Sequence, residues 1–233
     1  NQVEPIKQLA DYVIARYYPE LATLADPYPE FLRQVSLRTA DLMAQWHTVG
    51  FSHGVMNTDN MSILGLTLDY GPFGFLDAFD PGYICNHSDT GGRYAFDQQP
   101  DVAAWNLTKL AQALVPLMSV EAASAAISEY PKAFGKSYLE RMAAKFGLPP
   151  SGDAANLVLA AMQLLAKQHI DYTIFMRALC DFDSAEGALN SPLRDLFLDR
   201  EAFDAWAAQY AAALRAHALP NAERSLAMRQ LYP

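Results

Sequence analysis

Residues 53–80 read HGVMNTDNMSILGLTLDYGPFGFLDAFD, and the rest of the chain is organised around them. His53 to Asn60 is too polar for core and reads as a loop. Met61-Ser62-Ile63-Leu64 and Leu66-Thr67-Leu68 are short apolar runs with strand chemistry, and Gly65 sits between them where a tight reversal is needed. Asp69-Tyr70-Gly71-Pro72 stops the second run. The sequence therefore predicts a short β-hairpin that carries Asp59, Asn60 and Asp69 to one end of a small sheet. Two carboxylates and an amide oxygen converging there make a hard, oxygen-only donor set. Mg²⁺ with phosphate oxygens suits such a set, whereas Zn²⁺ favours His or Cys.

Protein kinases place a loop H-R-D-x-x-x-x-N before a hairpin and D-F-G after it, and the Asn and the D-F-G Asp hold Mg²⁺. Here His53 takes the His position, Asn60 the Asn position, and Asp69-Tyr70-Gly71 the place of D-F-G. Val55 stands where the kinase has its catalytic Asp, and a valine accepts no proton. Asp59, directly before Asn60, is the nearby carboxylate that can substitute as base. Each residue also has a plainer reading. Asp59 suits a turn cap, and Asn60 and Asp69 suit hydrogen bonding at a hairpin end. His53 is expected to hydrogen-bond the loop backbone, with ligation as the alternative. Asp77 and Asp80 read as solvated loop residues or as added negative charge near a metal.

The wider wording is more specific. GFSHGVMNTDNMSILGLTLDYGPFGFLDAF, ICNHSDTGGRYAFDQQP and WNLTKLAQAL together resemble the selenoprotein O family, densely from Arg38 to Leu114 and more thinly elsewhere. That resemblance implies a kinase-like protein adenylyltransferase, which binds ATP in a flipped orientation and moves AMP to Ser, Thr or Tyr hydroxyls of proteins. It implies Asp59 as the proton acceptor, Asn60 and Asp69 as ligands of Mg²⁺ or Mn²⁺, and Asp69 as a contact to the nucleotide through that metal. It implies a cytoplasmic protein in a bacterium and a mitochondrial one in a eukaryote. Two readings compete with it: a kinase using Asp59 as a displaced base, and a non-catalytic pseudokinase scaffold.

Members of the family are roughly twice as long as this chain, and no G-x-G-x-x-G occurs in it. The expectation is a single kinase-like C-terminal lobe over residues 1–233, without the phosphate-gripping N-lobe or the C-terminal tail, and inactive alone. Cys85 resembles the family's redox partner for a cysteine or selenocysteine in that tail, and is expected here as a free thiol. Cys180 reads as a reduced, partly buried small side chain.

Composition bounds the alternatives. Apolar residues make up 52% and charged ones 18%, so a sizeable core forms and disorder is disfavoured. Net charge is −9 with no Lys/Arg cluster, which argues against a nucleic-acid partner. No apolar run approaches the ~20 residues of a membrane span.

The remaining periodicity is helical: Glu4 to Tyr17 with Ile6, Leu9, Ala10, Val13 and Ile14 in phase, then Phe31 to His47 with Phe31, Val35, Leu42, Met43 and Trp46 inward. Gly50 breaks the second helix. Asp80 to Pro100 reads as a long ordered loop anchored by Tyr83, Tyr94 and Phe96, in the position of a kinase activation segment. Arg93 in that loop could meet a phosphate or substrate, or form a salt bridge that pins it. Asp101 begins a helix with Trp105, Leu110 and Leu114 on one face. Val120 to Phe146 divides around Pro131 and Gly135. Asn156 to Ala166, Tyr172 to Leu179, a start at Ser191-Pro192 and Arg200 to His217 complete a mainly α fold with one small hairpin. His47, His169 and His217 read as structural, Asp181 and Asp183 as an acidic pair, and Trp46, Trp105 and Trp206 as core.

Overall fold

The structure is a computed structural model that describes residues 3–231, so Tyr232 and Pro233, at the expected break before a tail, lie outside the described residues. It is mainly helical. Helix α1 (Val3–Tyr17) leads through a 3₁₀ turn (Pro19–Thr23) to α2 (Tyr28–Val49), which packs chiefly on α5 (Tyr130–Lys145) and also on α3 (Gln99–Leu114) and α4 (Val120–Ser128). Helices α6 (Gly152–Gln168), α7 (Tyr172–Leu179), the single-turn α8 (Ser191–Arg194), α9 (Arg200–His217) and α10 (Asn221–Arg229) follow. Side-chain oxygens cap four of these helices: Ser119 on α4, Ser151 on α6, Asp171 on α7 and Asp199 on α9. Each accepts a backbone N–H that the first helical turn leaves unpaired.

Two apolar cores result. One joins α1, α2, α3 and α4 around Leu32, Val35, Met43, Trp46 and Leu107. The other joins the end of α5 to α6, α7 and α9 around Phe146, Leu165, Phe175, Trp206 and Tyr210. The predicted inward positions Phe31, Val35, Leu42, Met43 and Trp46 of α2 are all buried. On α1 only Ala10 and Ile14 are, while Leu9 stands out in solvent.

Gly50 ends α2 at φ +68, in the left-handed region that a residue with a Cβ resists, and its N–H closes the helix on Trp46 and His47 carbonyls. The chain then enters β1 (Phe51–Ser52), which pairs antiparallel with β2 (Gly74–Phe75) in the register Phe51↔Phe75 and Ser52↔Gly74.

This two-stranded sheet is not the hairpin the sequence predicts. Residues 61–64 and 66–68 form no strand. The turn at Gly65 exists, with its N–H on the Ser62 carbonyl at 3.2 Å, but the flanking segments are held by side chains from α2 and the end of α1 instead of each other. Tyr18 donates its hydroxyl to the Ile63 carbonyl, and Trp46 Nε1 donates to Thr67 Oγ1 at 2.8 Å. Met61, Ile63 and Leu64 pack against the first core. Alternating apolar character here serves docking onto α1 and α2, and the ladder forms between residues flanking the whole excursion.

Candidate active site

The start of the 53–60 loop is buried, contrary to its polar reading: Ser52, His53 and Met56 are 0% exposed. Polar side chains satisfy it. Gln99, buried at the start of α3, accepts the His53 N–H at 2.9 Å and donates to the Phe51 carbonyl at 3.0 Å. Asn106, two turns on, donates to the Met56 carbonyl at 2.9 Å, and Asn86 donates to the Gly54 carbonyl at 3.1 Å. Buried main-chain groups need such partners, and here the amides of later segments supply them.

His53 is the hinge of the arrangement. Its ring stacks on Trp46 at 5.2 Å between centroids. Its Nδ1 accepts the Val55 N–H at 3.3 Å, which leaves the proton on Nε2, and Nε2–H donates to the Leu68 carbonyl at 2.8 Å. His53 thus bonds the backbone, as expected, and fastens the residue before Asp69 to the loop. Asn60 ends a 3₁₀ turn (Thr58–Asn60) and donates Nδ2 to the Val55 carbonyl at 3.0 Å. Asn60 and the neighbour of Asp69 are therefore both tied to residues 53–55.

Asn60, Asp69 and Asp59 are the side chains predicted to carry the chemistry. With Nδ2 of Asn60 occupied by the Val55 carbonyl, its Oδ1 has no hydrogen bond among the described residues. Asp69 is exposed and sits at φ +56, a conformation non-glycine residues adopt rarely. Asp59 is exposed within the 3₁₀ turn, and its carboxylate makes no hydrogen bond among the described residues. Asp77 and Asp80 are exposed, and Asp80 caps its own turn by accepting the Gly82 N–H. Among the described residues, no three His, Cys, Asp or Glu side chains gather as a metal site. An amide and a carboxylate oxygen alone suit Mg²⁺ or Mn²⁺, which fill their coordination with substrate phosphates and water; they do not suit a closed zinc cage.

Cys85 approaches from the segment after β2. Its thiol lies 3.3 Å from Ser52 Oγ, and a Cβ on Gly54, which is at φ +80, would fall 2.6 Å from its sulfur. Both cysteines are free thiols, and Cys180 is more deeply buried than the partly buried position expected. Burial raises the pKa of its thiol.

The 80–100 segment is ordered by its own groups. Asp89 accepts the N–H of Arg93 at 3.0 Å and of Tyr94 at 2.7 Å, and Phe96 N–H pairs with the Tyr83 carbonyl. Tyr94 donates its hydroxyl to Asn57 Oδ1 at 2.6 Å, joining this segment to the site loop. Arg93 makes no salt bridge among the described residues; the pin is Asp89 acting on the backbone. Trp105 is 43% exposed and so is not core: Arg93 and Lys109 lie against its indole. Trp46 and Trp206 are core. Asp181 and Asp183 serve α10, through Arg229 and Asn221.

Sequence reading missed Gln99, Asn106, Asn86 and Asn57. For Asn106 the available signal was an amide on the inward stripe of an otherwise apolar helix, as in Ala103-Ala104-Trp105-Asn106-Leu107; the loop residues Asn57 and Asn86 offered none.

Asn60 and the residue before Asp69 are thus both bonded to residues 53–55, with Asp59 and Asp69 exposed. Curated relatives of this chain are named as nucleotidyltransferases. The chain is 78% identical over 233 residues to the protein nucleotidyltransferase YdiU of Thiobacillus denitrificans, covering 100% of this chain and 48% of that protein. It is 52% identical over 234 residues to the protein of the same name from Myxococcus xanthus and 49% over 249 residues to that from Cupriavidus pinatubonensis, with the same coverage. The chain spans about half the length of these relatives. The model of the family described as protein adenylyltransferase SelO matches residues 1–232, and the chain belongs to that family.

Proposed function

We propose that this chain is the kinase-like C-terminal lobe of a protein adenylyltransferase that moves AMP from ATP to Ser, Thr or Tyr hydroxyls of proteins. Membership of the family supports the reaction class. The observation that carries the assignment of residues is the pair of ties to residues 53–55, His53 to the Leu68 carbonyl and Asn60 to the Val55 carbonyl. Asn60 Oδ1 and the Asp69 carboxylate would hold Mg²⁺ or Mn²⁺, which would supply charge neutralisation to the triphosphate. Asp59 orients the acceptor hydroxyl and takes its proton at a carboxylate oxygen. Val55 can do neither, since its side chain has no acceptor. His53 holds the loop in register and moves no proton.

No glycine-rich phosphate loop occurs in these residues, so turnover is expected of the intact protein and not of this lobe alone. Intact protein is given ATP labelled on either the α- or the γ-phosphate, with Asp69→Ala as control. Label from the α-position on protein, absent in the control, is the expected result. Transfer from the γ-position alone would make the protein a kinase with Asp59 as a displaced base, and no nucleotide binding at all would make it a scaffold.

A further inference from the structure

We propose that Arg93, Trp105 and Lys109 form a docking surface for an acidic segment of the acceptor protein, beside its modified hydroxyl. The inference rests on the function proposed above. The Arg93 guanidinium lies 4.7 Å from the centroid of the Trp105 ring and the Lys109 ammonium 5.0 Å from it. Arg93 and Trp105 are exposed. Neither cation is in an ion pair among the described residues. Asp89, four residues before Arg93, has both carboxylate oxygens occupied by backbone N–H groups, and Asp97, four residues after it, makes no ion pair with it among the described residues.

Two cations held against one indole repel each other, and an anionic partner removes that repulsion. A chain of net charge −9 otherwise repels acidic partners, so a local pair of cations gives orientation as well as attraction. Its location ties it to the chemistry. Tyr94, adjacent to Arg93, bonds Asn57 at 2.6 Å, and Asn106, adjacent to Trp105, bonds the Met56 carbonyl at 2.9 Å. Both arms of the patch therefore touch the loop just ahead of Asp59. An acceptor segment lying across Trp105 would run towards the carboxylate proposed as base. Both cations are held in place, Arg93 and Lys109 by the indole and Lys109 also by donating to Gln112 Oε1 at 3.3 Å, which lowers the ordering cost when a carboxylate arrives.

The test uses intact protein and three fluorescent acceptor peptides that share a Ser/Thr/Tyr core and differ in flanks: glutamate, alanine or lysine. Binding is read by anisotropy, and transfer by α-phosphate label. The glutamate peptide is expected to bind on the order of tenfold tighter than the alanine peptide at low salt, a difference that shrinks as salt rises. In Arg93→Ala/Lys109→Ala the glutamate-to-alanine ratio falls to about one, and in Arg93→Glu/Lys109→Glu the lysine peptide becomes the preferred one. Equal binding of all three peptides by the unmodified protein, or a preference that survives charge reversal, overturns the inference alone. A glutamate preference in binding without any α-label on peptide or protein overturns the proposed function and, with it, the identity of the docked partner as acceptor.

Discussion

Residues 51–99 and the α6–α9 region are built on opposite principles. The first has two strands of two residues each and is fixed by directional bonds: His53, Asn60, Asn86, Gln99 and Asn106 each hold a main-chain group of residues 51–68. The second is organised around apolar packing, with Leu165, Phe175, Met176, Leu179 and Tyr210 wholly buried; buried side-chain bonds such as Trp206 Nε1 to the Leu157 carbonyl, Tyr210 to the Phe146 carbonyl and Tyr172 to the Thr48 carbonyl join it, and its remaining side-chain bonds lie mostly at helix caps and on the surface. Hydrophobic burial has no preferred direction and stabilises in proportion to area. Hydrogen bonds contribute less net energy but set position. Stability therefore resides in the second region, and the first uses directional bonds to hold exposed carboxylates in place.

The sharpest way to break that contrast is one substitution in each region. Phe175 touches the rings of Phe146, Phe197 and Trp206 and is 0% exposed. Phe175→Ala should cost about 3–5 kcal/mol in denaturant unfolding, because the cavity cannot fully collapse. Asp59→Asn should leave the unfolding midpoint within about 0.5 kcal/mol, as for an exposed side chain, while α-label transfer by intact protein drops roughly 10²–10⁴-fold. An Asp59→Asn protein that transfers normally would remove Asp59 as base. A Phe175→Ala protein of unaltered stability would mean that the second core is not where the fold is held.

Gln99 tests whether the first region depends on direction at all. Gln99→Leu keeps most of the volume but leaves the His53 N–H and Phe51 carbonyl without their partner. The expected loss is about 2 kcal/mol, with transfer falling further than stability because the latch on Leu68 shifts. If Gln99→Leu proved neutral in both, packing alone would position the loop.

Legibility in the sequence follows the same division. Where burial decides, periodicity reads well: Tyr172–Leu179 and Arg200–His217 are helices over those bounds, and Gly50 ends α2. Where polar partners decide, it misleads. Met61 to Leu68 has strand chemistry, yet Tyr18 and Trp46 take its polar groups and no ladder forms between its halves. Trp105 reads as core because indoles usually are, and is instead covered by cations. Helix α10 escapes notice because its buried residues are Arg224 and Met228. Arg224 enters the interior by donating to the Phe182 carbonyl and to Asn221 Oδ1, a bargain no hydropathy pattern records. Motif spacing singles out His53, Asn60 and Asp69, because spacing reports chemistry; the amides that tie their loop have no motif.

His47 lies at the junction of the two regions and yields the smallest and most conditional effect. It sits near the end of α2, stacked on Phe96 at 4.5 Å and edge-on to Phe134 and Tyr138. Its Nε2 is buried with no partner among the described residues. Burial disfavours the imidazolium and brings the pKa down to about 4, opposed by a hydrogen bond with the Phe96 backbone. The folded value lies below the ordinary one near 6.5, so the unfolded chain binds the extra proton first. Stability is then full above about pH 6.5 and is lost as pH falls towards 4, at about 1 kcal/mol per pH unit from this group. Carboxylates contribute their own acid sensitivity, so the comparison is between the natural protein and His47→Phe. The two should unfold alike at pH 8 within about 1 kcal/mol, since the phenylalanine keeps the ring stack and removes an unpaired acceptor. Between pH 6.5 and 5 the phenylalanine protein should gain steadily on its parent. Parallel pH profiles would show that His47 is charged or solvated in the folded state, and that the junction between the two regions is open to water.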